Sequence, residues 1–341
     1  MSSDLVEAWN VRESDCPRVG TPEHMRFLVR YAILAPSTHN SQPWRFKVSD
    51  HTVELWSDPS RILERIDPDR RQLFMSCGGA LANLRIAMRR FGHSDQVMYL
   101  PTPRRPDHLA TLHLGPAHDT TPQDRTLCEA IVRRRTNRGK FEERALPDDV
   151  AIEILQIANR PGAWMVELEQ GGKHEIADIV ARADEQQLGD PSFRAEFAQW
   201  LAPRGSRRRD GIPMAKKDLP SALPLAGTMI LRRFDIGTGV AAREHELVTH
   251  SPMLTVLGTD EDTPLAWLIA GEAMQESFLT ATSLGVATSY LNQAIEEQDL
   301  RPRVAAAAGR VGSPQLILRW GYGPADVPPT PRRALEDVLF E

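Results

Sequence analysis

Apolar residues recur every three to four positions in several long stretches of the chain, a spacing typical of helices that bury one face. The pattern predicts helices at residues 25–34, 70–91, 126–135, 148–159 and 265–285, and two more between 173 and 201. Asp148 or Asp149 is the expected N-cap of the fourth helix. Shorter runs rich in β-branched and aromatic residues predict strands at 44–49, 52–57, 97–101, 109–115, 163–169, 253–259 and 314–323.

Three segments lack this periodicity and divide the chain. Residues 1–22 are expected to form an N-terminal arm, and the Pro-, Thr- and Asp-rich stretch 116–126 to form a linker. Residues 203–240 are rich in Arg, Pro and Gly and belong to a longer, lid-like insertion at 186–240. We therefore expect a first half at 23–116 and a second half at 117–341 that carries the insertion.

A weak internal repeat relates the two halves. Gly78 and Gly271 lie 193 positions apart, and so do Gly92 and Gly285. The stretch between each pair of glycines predicts a helix closed by a left-handed Gly, and an apolar strand ending in Gly follows each helix. This shared order indicates two diverged copies of one helix–strand unit, packed as an internal pseudo-dimer, although chance agreement of element order would give the same pattern.

Composition and charge narrow the class of protein. Of 341 residues, 41% are hydrophobic, enough to build a full core. The net charge is −5, so the sequence does not show the basic surface expected of a nucleic-acid-binding protein. The three cysteines are far apart and the ten histidines lack metal-ligand spacing, so neither a disulfide framework nor a metal site is expected. No apolar run approaches 18 residues and the first 20 residues are polar and acidic, so we expect a cytoplasmic protein without a membrane span or signal peptide.

The stretch APSTHNSQPWRF at residues 35–46 contains the most informative loop of the sequence. It places five hydrogen-bonding side chains and one histidine between two prolines that stiffen its ends. A simple chain reversal needs two to five residues and one or two breakers. The loop therefore suits a neutral, flat ligand with polar edges, while a plain polar surface loop is the alternative. Trp44 begins a strand and is expected in the core, and His39 is expected to have no chemical role.

At four places the sequence resembles the flavin-dependent nitroreductases. The loop at 35–46 is similar to the PSxxNxQPW loop of that family, and RRTNRGKF at 134–141 resembles its RRSxRxF motif. The long helix with the segment after Gly285 resembles the family's helix and GLGS-type turn, and PRRALEDV near the end resembles its C-terminal basic segment. The duplicated layout resembles the Acg-like subgroup of FMN-binding oxidoreductases. The implied fold is α+β: a mainly antiparallel sheet with helices on both faces, normally in an intertwined homodimer with FMN at the interface.

The order of these motifs departs from the family pattern. In a nitroreductase subunit the arginine motif precedes the PSxxNxQPW loop, whereas here the loop lies in the first half and the arginines in the second. The second half reads ANRPGAWMV where its own loop should be, which is half as long and has lost the Ser and Gln of the first loop. Because the family builds each flavin site from two subunits, the resemblance implies one complete FMN site per chain, between the halves, and a degenerate second site.

The resemblance also implies which residues contact FMN. The phosphate would be held by the arginine motif and by the basic segment near the C-terminus, the ribityl chain and ring edge by the loop of the first half, and flavin N5 by backbone N–H groups near residues 292–293. The expected contacts are Pro36, Ser37, Thr38, Asn40, Gln42, Arg134, Arg135, Thr136, Arg138, Arg243, Leu291, Asn292, Gln293, Arg332 and Arg333. No catalytic side chain is expected, because the cofactor carries the chemistry.

Three functions remain open at the level of sequence. The leading hypothesis is an FMN-dependent oxidoreductase that passes electrons from NAD(P)H to a small aromatic acceptor, nitroaromatic or quinone-like, as a monomeric pseudo-dimer or a homodimer of it. The second is an FMN-sequestering protein with little turnover, in which the insertion, with Phe193, Phe197, Trp200 and Leu201, covers the flavin. The third is a scaffold for protein interactions that binds no flavin.

Overall fold

The computed structural model describes residues 5–203, 205–213, 244–324 and 326–341. After a short arm, the first half contains α1 (Pro22–Ala32), β1 (Trp44–Val48), β2 (Thr52–Ser57), α2 (Arg71–Arg90), β3 (His93–Tyr99) and β4 (His108–Ala117). The second half contains α3 (Pro122–Arg133), α4 (Asp148–Ala158), β5 (Ala163–Glu167), α5 (Gln170–Gly189), α6 (Pro191–Trp200), β6 (Leu201–Ala202), β7 (Ile212–Pro213), β8 (Met253–Thr259), α7 (Pro264–Ser283), β9 (Ala287–Tyr290), α8 (Gln293–Glu296), α9 (Arg301–Ala307) and β10 (Ser313–Gly321).

The strands form two four-stranded antiparallel sheets, and both sheets have the same topology. The first has the order β1-β2-β4-β3 and the second the order β5-β8-β10-β9. In each half, the long helix, α2 or α7, connects the second strand to the third along the chain. The predicted α+β class, with helices and mainly antiparallel sheets in two similar halves, is confirmed.

The two long helices pack against each other through the glycines that the repeat had aligned. A Cβ atom at Gly78 would lie 2.2 Å from the carbonyl oxygen of Leu268, and one at Gly271 would lie 2.1 Å from that of Met75. Met75 and Leu268 are themselves 193 positions apart, so each contact is the counterpart of the other. Equivalent residues meet across the crossing, as they do at a two-fold interface.

A Thr-Pro pair marks the start of three helices. Thr21, Thr121 and Thr263 accept a hydrogen bond from a backbone N–H of the first turn, and Pro stands at the first helical position of each. Thr121 completes a capping box with Asp124, so α3 starts at Pro122 and the predicted linker 116–126 shrinks to the few residues after β4. The predicted cap of α4 was wrong: Asp148 is already helical, and Pro147 precedes it without a side-chain cap.

A segment of the second half lies on an edge strand of the first half. The C-terminal tail runs beside β1, where Phe46 accepts a hydrogen bond from Phe340 and donates one to Val338. Within the second half, Asn137 donates to Thr288 of β9. The turn predicted after Gly285 is therefore partly a strand, since residues 287–290 pair with β10. Gly92 and Gly285 close their helices with φ of 85° and 75°, as expected.

The described part of the insertion, from the end of α5 through α6, docks on the first half. Phe193 and Leu188 are buried against Leu63 and Ile66, and Phe197 and Trp200 pack at the edge of this cluster. Residues 204 and 214–240 of the insertion lie outside the described residues. Among the described helices, none is both long and apolar enough to cross a lipid bilayer.

Candidate flavin site

The loop after α1 has a strained backbone. His39, Asn40 and Gln42 all adopt positive φ, between 51° and 54°. Few residues other than glycine adopt this conformation, and when they do they are often found at ligand sites. The strain is held in place by bonds within the loop, since Gln42 N–H donates to Ser37 Oγ at 2.9 Å and Asn40 N–H to the Ser37 carbonyl at 2.9 Å.

The side chains of Asn40 and Gln42 bind other parts of this chain. Asn40 donates to the carbonyls of Gly211 and Pro331, both at 3.1 Å, and accepts from Arg332 at 3.0 Å. Gln42 donates to the Arg209 carbonyl at 2.8 Å and accepts from the Arg333 N–H at 2.7 Å. Both amides thus join the loop to the insertion and to the C-terminal tail, a connection that no local sequence pattern indicates.

The second half contributes a group of arginines that converges on this loop. Arg134 and Arg332 are each only 2% exposed, and burial lowers the pKa of both. Repulsion from Arg138 lowers the pKa of Arg134 further. Repulsion from Arg134 and Arg135 does the same for Arg332. Arg135 has a pKa lowered to about 10 by burial and by Arg134. Within the described part of the chain, no carboxylate forms a salt bridge with Arg134, Arg135 or Arg332. Uncompensated buried cations are costly, so the arrangement favours an anionic ligand.

Several polar atoms around the arginines are buried and have no hydrogen-bond partner among the described residues. They are Arg134 Nε, Arg332 Nε, His39 Nδ1 and Thr288 Oγ1. Gln293 Oε1 is also unpaired, but the Gln293 side chain lies beside Asp184 of α5. Buried polar atoms in proteins are nearly always paired, so such a group usually marks a ligand or ordered water. Unpaired donors and acceptors from both halves therefore meet at one place.

Other predicted contacts are at or near the same place. Thr136 lies beside Arg134, whose Nη1 is 3.4 Å from its hydroxyl, and it bridges to Thr288 of β9. Burial lowers the pKa of His39 to about 4, with a smaller contribution from repulsion by Arg138, which is exposed. Tyr290, at the end of β9, faces Arg134, Arg138 and Arg332. Burial raises the pKa of its hydroxyl, and the three arginines oppose this shift. Tyr290 was not among the predicted contacts.

Three of the predicted residues have a different setting. Leu291 is 1% exposed and belongs to the core of the second half, and Asn292 accepts a hydrogen bond from Ile317 N–H at 3.2 Å. Arg333 points away from the other arginines and contacts Asp58 at 3.3 Å. Arg243 lies outside the described residues. Pro36 is buried at the start of the loop.

The corresponding loop of the second half is a tight turn. Arg160 and Ala163 exchange backbone hydrogen bonds at 3.0 and 3.1 Å, and Gly162 takes φ of 85°. Arg160 pairs with Glu276 at 2.9 Å. This closed turn has no room for the five polar side chains of its counterpart, as the shortened sequence predicted.

A chain of polar side chains leads from the loop into the second half. Thr38 donates to Gln72 at 2.8 Å, Gln72 donates to Glu296 at 3.0 Å, and Gln187 donates to the other oxygen of Glu296 at 2.9 Å. Burial raises the pKa of Glu296. Beside it, a pocket of about 340 Å³ opens between the halves, lined by Arg65, Ile66, Asp67, Arg71, Ile295, Glu296 and Arg301 among others.

Asp184 of α5 gives this region a pH dependence. It is 4% exposed, and burial, with repulsion from Glu244, raises its pKa from 3.8 to about 7. Because the folded pKa is above the unfolded one, Asp184 favours folding below about pH 4, and this contribution is lost as the pH rises to about 7. Between pH 5 and 8 the loss is up to about 3 kcal/mol.

We therefore expect Asp184→Asn to flatten the pH dependence of the free energy of unfolding. Urea denaturation at pH 5 and pH 8 should show a smaller fall for the variant than for the wild type. Glu296, whose pKa burial also raises, is present in both proteins and repels the Asp184 carboxylate, so the difference between the two proteins measures Asp184 together with this repulsion. Parallel curves for the two proteins would mean that Asp184 ionises normally.

Comparison with known proteins identifies the family. A protein of Mycobacterium tuberculosis H37Rv, provisionally named NAD(P)H nitroreductase, is 34% identical over 325 residues, which cover 93% of this chain and 91% of that protein. A second protein of the same organism, provisionally named NAD(P)H nitroreductase Acg, is 32% identical and covers 94% and 96%. The chain belongs to this NAD(P)H nitroreductase family, in agreement with the resemblance read from its motifs.

Family models and solved structures show more distant similarity or none. No protein-family model matches the chain. Among solved structures, the FMN- and NADPH-dependent nitroreductase NfnB of a Sphigopyxis species is 19% identical, with a TM-score of 0.41, covering 63% of this chain and 98% of that one. NfnB of Mycobacterium smegmatis in complex with NADPH is 14% identical, with a TM-score of 0.41, covering 62% and 96%.

Proposed function

We propose that the protein is an FMN-dependent oxidoreductase that takes electrons from NAD(P)H and passes them to a small aromatic acceptor, nitroaromatic or quinone-like. The observation that carries the proposal is the meeting of a buried, uncompensated arginine group from one half with a strained polar loop from the other. The names of the relatives at 32–34% identity support the same reaction class.

The arginine group suits the phosphate of FMN. Arg134 and Arg332 are fixed by surrounding protein, Arg332 through the carbonyls of Leu34 and Ala35 at 3.2 and 3.0 Å, and each keeps an unpaired Nε. A phosphate carries nearly two negative charges and accepts several hydrogen bonds, so it would offset the repulsion among these cations. Thr136 and the exposed Arg138 would complete the set of donors.

The loop and the end of β9 suit the rest of the cofactor. Bound FMN would supply electron transfer between the pyridine nucleotide and the acceptor. The Pro36 carbonyl, Ser37 and Thr38 would face the polar edge of the ring, and the backbone N–H groups of Asn292 and Gln293 would lie near N5. Asn40 and Gln42 would act chiefly by holding the loop, the insertion and the tail together.

One FMN per chain follows from the same arrangement. The reciprocal position would need a second loop, but residues 160–163 form a closed turn, and the first half has no arginine motif ahead of α1. We take the two halves as diverged copies, at 23–116 and 117–341, that enclose a single site. Such a chain can function as a monomer or pair again as a homodimer.

One observation favours the second function, flavin sequestration. The described part of the insertion lies directly over the loop: Phe197 contacts the His39 ring, with centroids 5.2 Å apart, and Gly211 donates to the Asn40 carbonyl at 3.3 Å. A cover at this position would limit stacking of NAD(P)H and the acceptor on the ring. The two functions differ in turnover and share the same cofactor site.

Bleaching of the visible flavin band by NADPH in stopped flow tests the proposed reductase. Rapid bleaching, followed by reoxidation with a quinone or nitroaromatic compound, is the expected result, and Phe197→Ala should accelerate it if the insertion restricts access. Met98→Ala, an exposed residue on β3, is the control and should leave the rate unchanged. Bound flavin that bleaches no faster than free FMN would favour sequestration.

A further inference from the structure

The N-terminal arm carries an aromatic residue that belongs to the arginine group. The guanidinium carbon of Arg135 lies 4.4 Å from the centre of the Trp9 ring, and that of Arg332 lies 4.9 Å from it. Both distances are within the range of a cation–π interaction, for which tryptophan is the strongest partner. Trp9 thus contacts two arginines that come from opposite ends of the second half.

The ring of Trp9 is itself fixed. It is 8% exposed and belongs to the core of the first half, and its Nε1 donates to the carbonyl of Thr330 at 2.8 Å. Thr330 also accepts from Arg332 Nη1 through its carbonyl, at 3.3 Å. The arm is held beyond Trp9 as well, because Arg30 of α1 donates to the Asn10 carbonyl at 3.1 Å. The contact is therefore part of the folded protein.

The contact with Trp9 lies among three arginines that carry like charges. Arg134, Arg135 and Arg332 repel one another and are partly or fully buried. An aromatic face attracts cations without supplying a full negative charge, so it can keep two guanidinium groups in place while leaving them available to an anion. A carboxylate at the same position would neutralise them and compete with a phosphate.

We propose that Trp9 is a positioning residue that holds Arg135 and Arg332 for the phosphate of the flavin nucleotide. The arm thereby helps the site distinguish FMN from riboflavin, which has the same ring and ribityl chain but no phosphate. This inference rests on the proposed FMN site. It assigns a binding role to a segment that resembles none of the family motifs.

The test measures the affinity of the flavin-free full-length chain for FMN and for riboflavin. Trp9→Leu should weaken FMN binding roughly ten-fold and leave riboflavin within about two-fold, because only the phosphate contacts change. Trp9→Phe keeps a smaller ring, so it should lose about two- to three-fold, again for FMN alone. Phe340→Leu, which removes a ring that lies 4.5 Å from Arg45 on β1, is the matched control and should change neither affinity.

The outcomes separate this inference from the proposed function. If the wild type binds FMN and the Trp9 variants lose FMN and riboflavin equally, or keep full FMN affinity, Trp9 has only a structural role and the inference is wrong. If Trp9→Leu does not fold, Trp9→Phe decides by the same ratio of affinities, and an unchanged ratio overturns the inference. A wild type that binds neither flavin contradicts the proposed function instead.

Discussion

The double variant Arg134→Ala, Arg138→Ala should lose its bound FMN. Each charge-assisted hydrogen bond to a phosphate contributes about 1.5–3 kcal/mol, so removing two donors should weaken binding by about 3–6 kcal/mol, or at least a hundred-fold. Fluorescence titration of the flavin-free protein measures this directly. Affinity for riboflavin should change far less, since the loss is confined to the phosphate.

The fold of this variant should survive, which separates a binding defect from unfolding. Arg134 is buried among like charges, and its removal relieves repulsion with Arg332. Arg125→Ala, Arg133→Ala is a matched control, because both residues are exposed on α3 just ahead of the motif. If the double variant of Arg134 and Arg138 still purifies with FMN at micromolar protein concentration, these arginines do not bind the phosphate.

Gly271→Ala should destabilise the protein by about 3 kcal/mol or more. The added methyl group would lie 2.1 Å from the Met75 carbonyl oxygen and 2.8 Å from its Cα, so α2 and α7 would have to separate. Overpacking against backbone cannot be relieved by a rotamer change, and costs of about 1–3 kcal/mol or more are usual. Equilibrium denaturation in urea measures the effect.

The matched control is Gly171→Ala in α5, where the new methyl group meets nothing within 4 Å. That variant should gain up to about 1 kcal/mol from helix propensity. If Gly271→Ala stays within about 1 kcal/mol of the wild type, the close crossing does not hold the halves together. Because the crossing sets the relative position of the halves, Gly271→Ala should also weaken flavin binding.

Much of the fold was accessible from the sequence because its signals are local. The three-to-four residue periodicity located the long helices, and the glycines at 78 and 271 revealed the repeat whose two copies meet at the helix crossing. Helix starts were missed where a Thr-Pro signal was available, as at Thr121. Strand β9 was missed because ATSY at 287–290 is short and lacks clear alternation.

The site was less accessible because its parts are far apart in sequence. Motif resemblance brought the loop near the arginines, but it gave Asn40 and Gln42 a cofactor role, whereas their side chains bind the insertion and the tail. The resemblance of the C-terminal basic segment placed Arg333 with Arg332 at the phosphate, whereas Arg333 contacts Asp58 and Arg332 contacts Asn40 of the loop. Trp9 and Tyr290 have no local signal, since each acts through contacts formed only in the folded chain.

The number of FMN molecules bound per chain tests the proposal that two fused halves build one flavin site. The purified chain, saturated with FMN and freed of excess, should give a visible flavin spectrum corresponding to one FMN per chain, released intact on denaturation. Two flavins per chain would mean that the turn at residues 160–163 is no obstacle to a second site. A colourless protein that takes up no FMN would contradict the proposed flavin site.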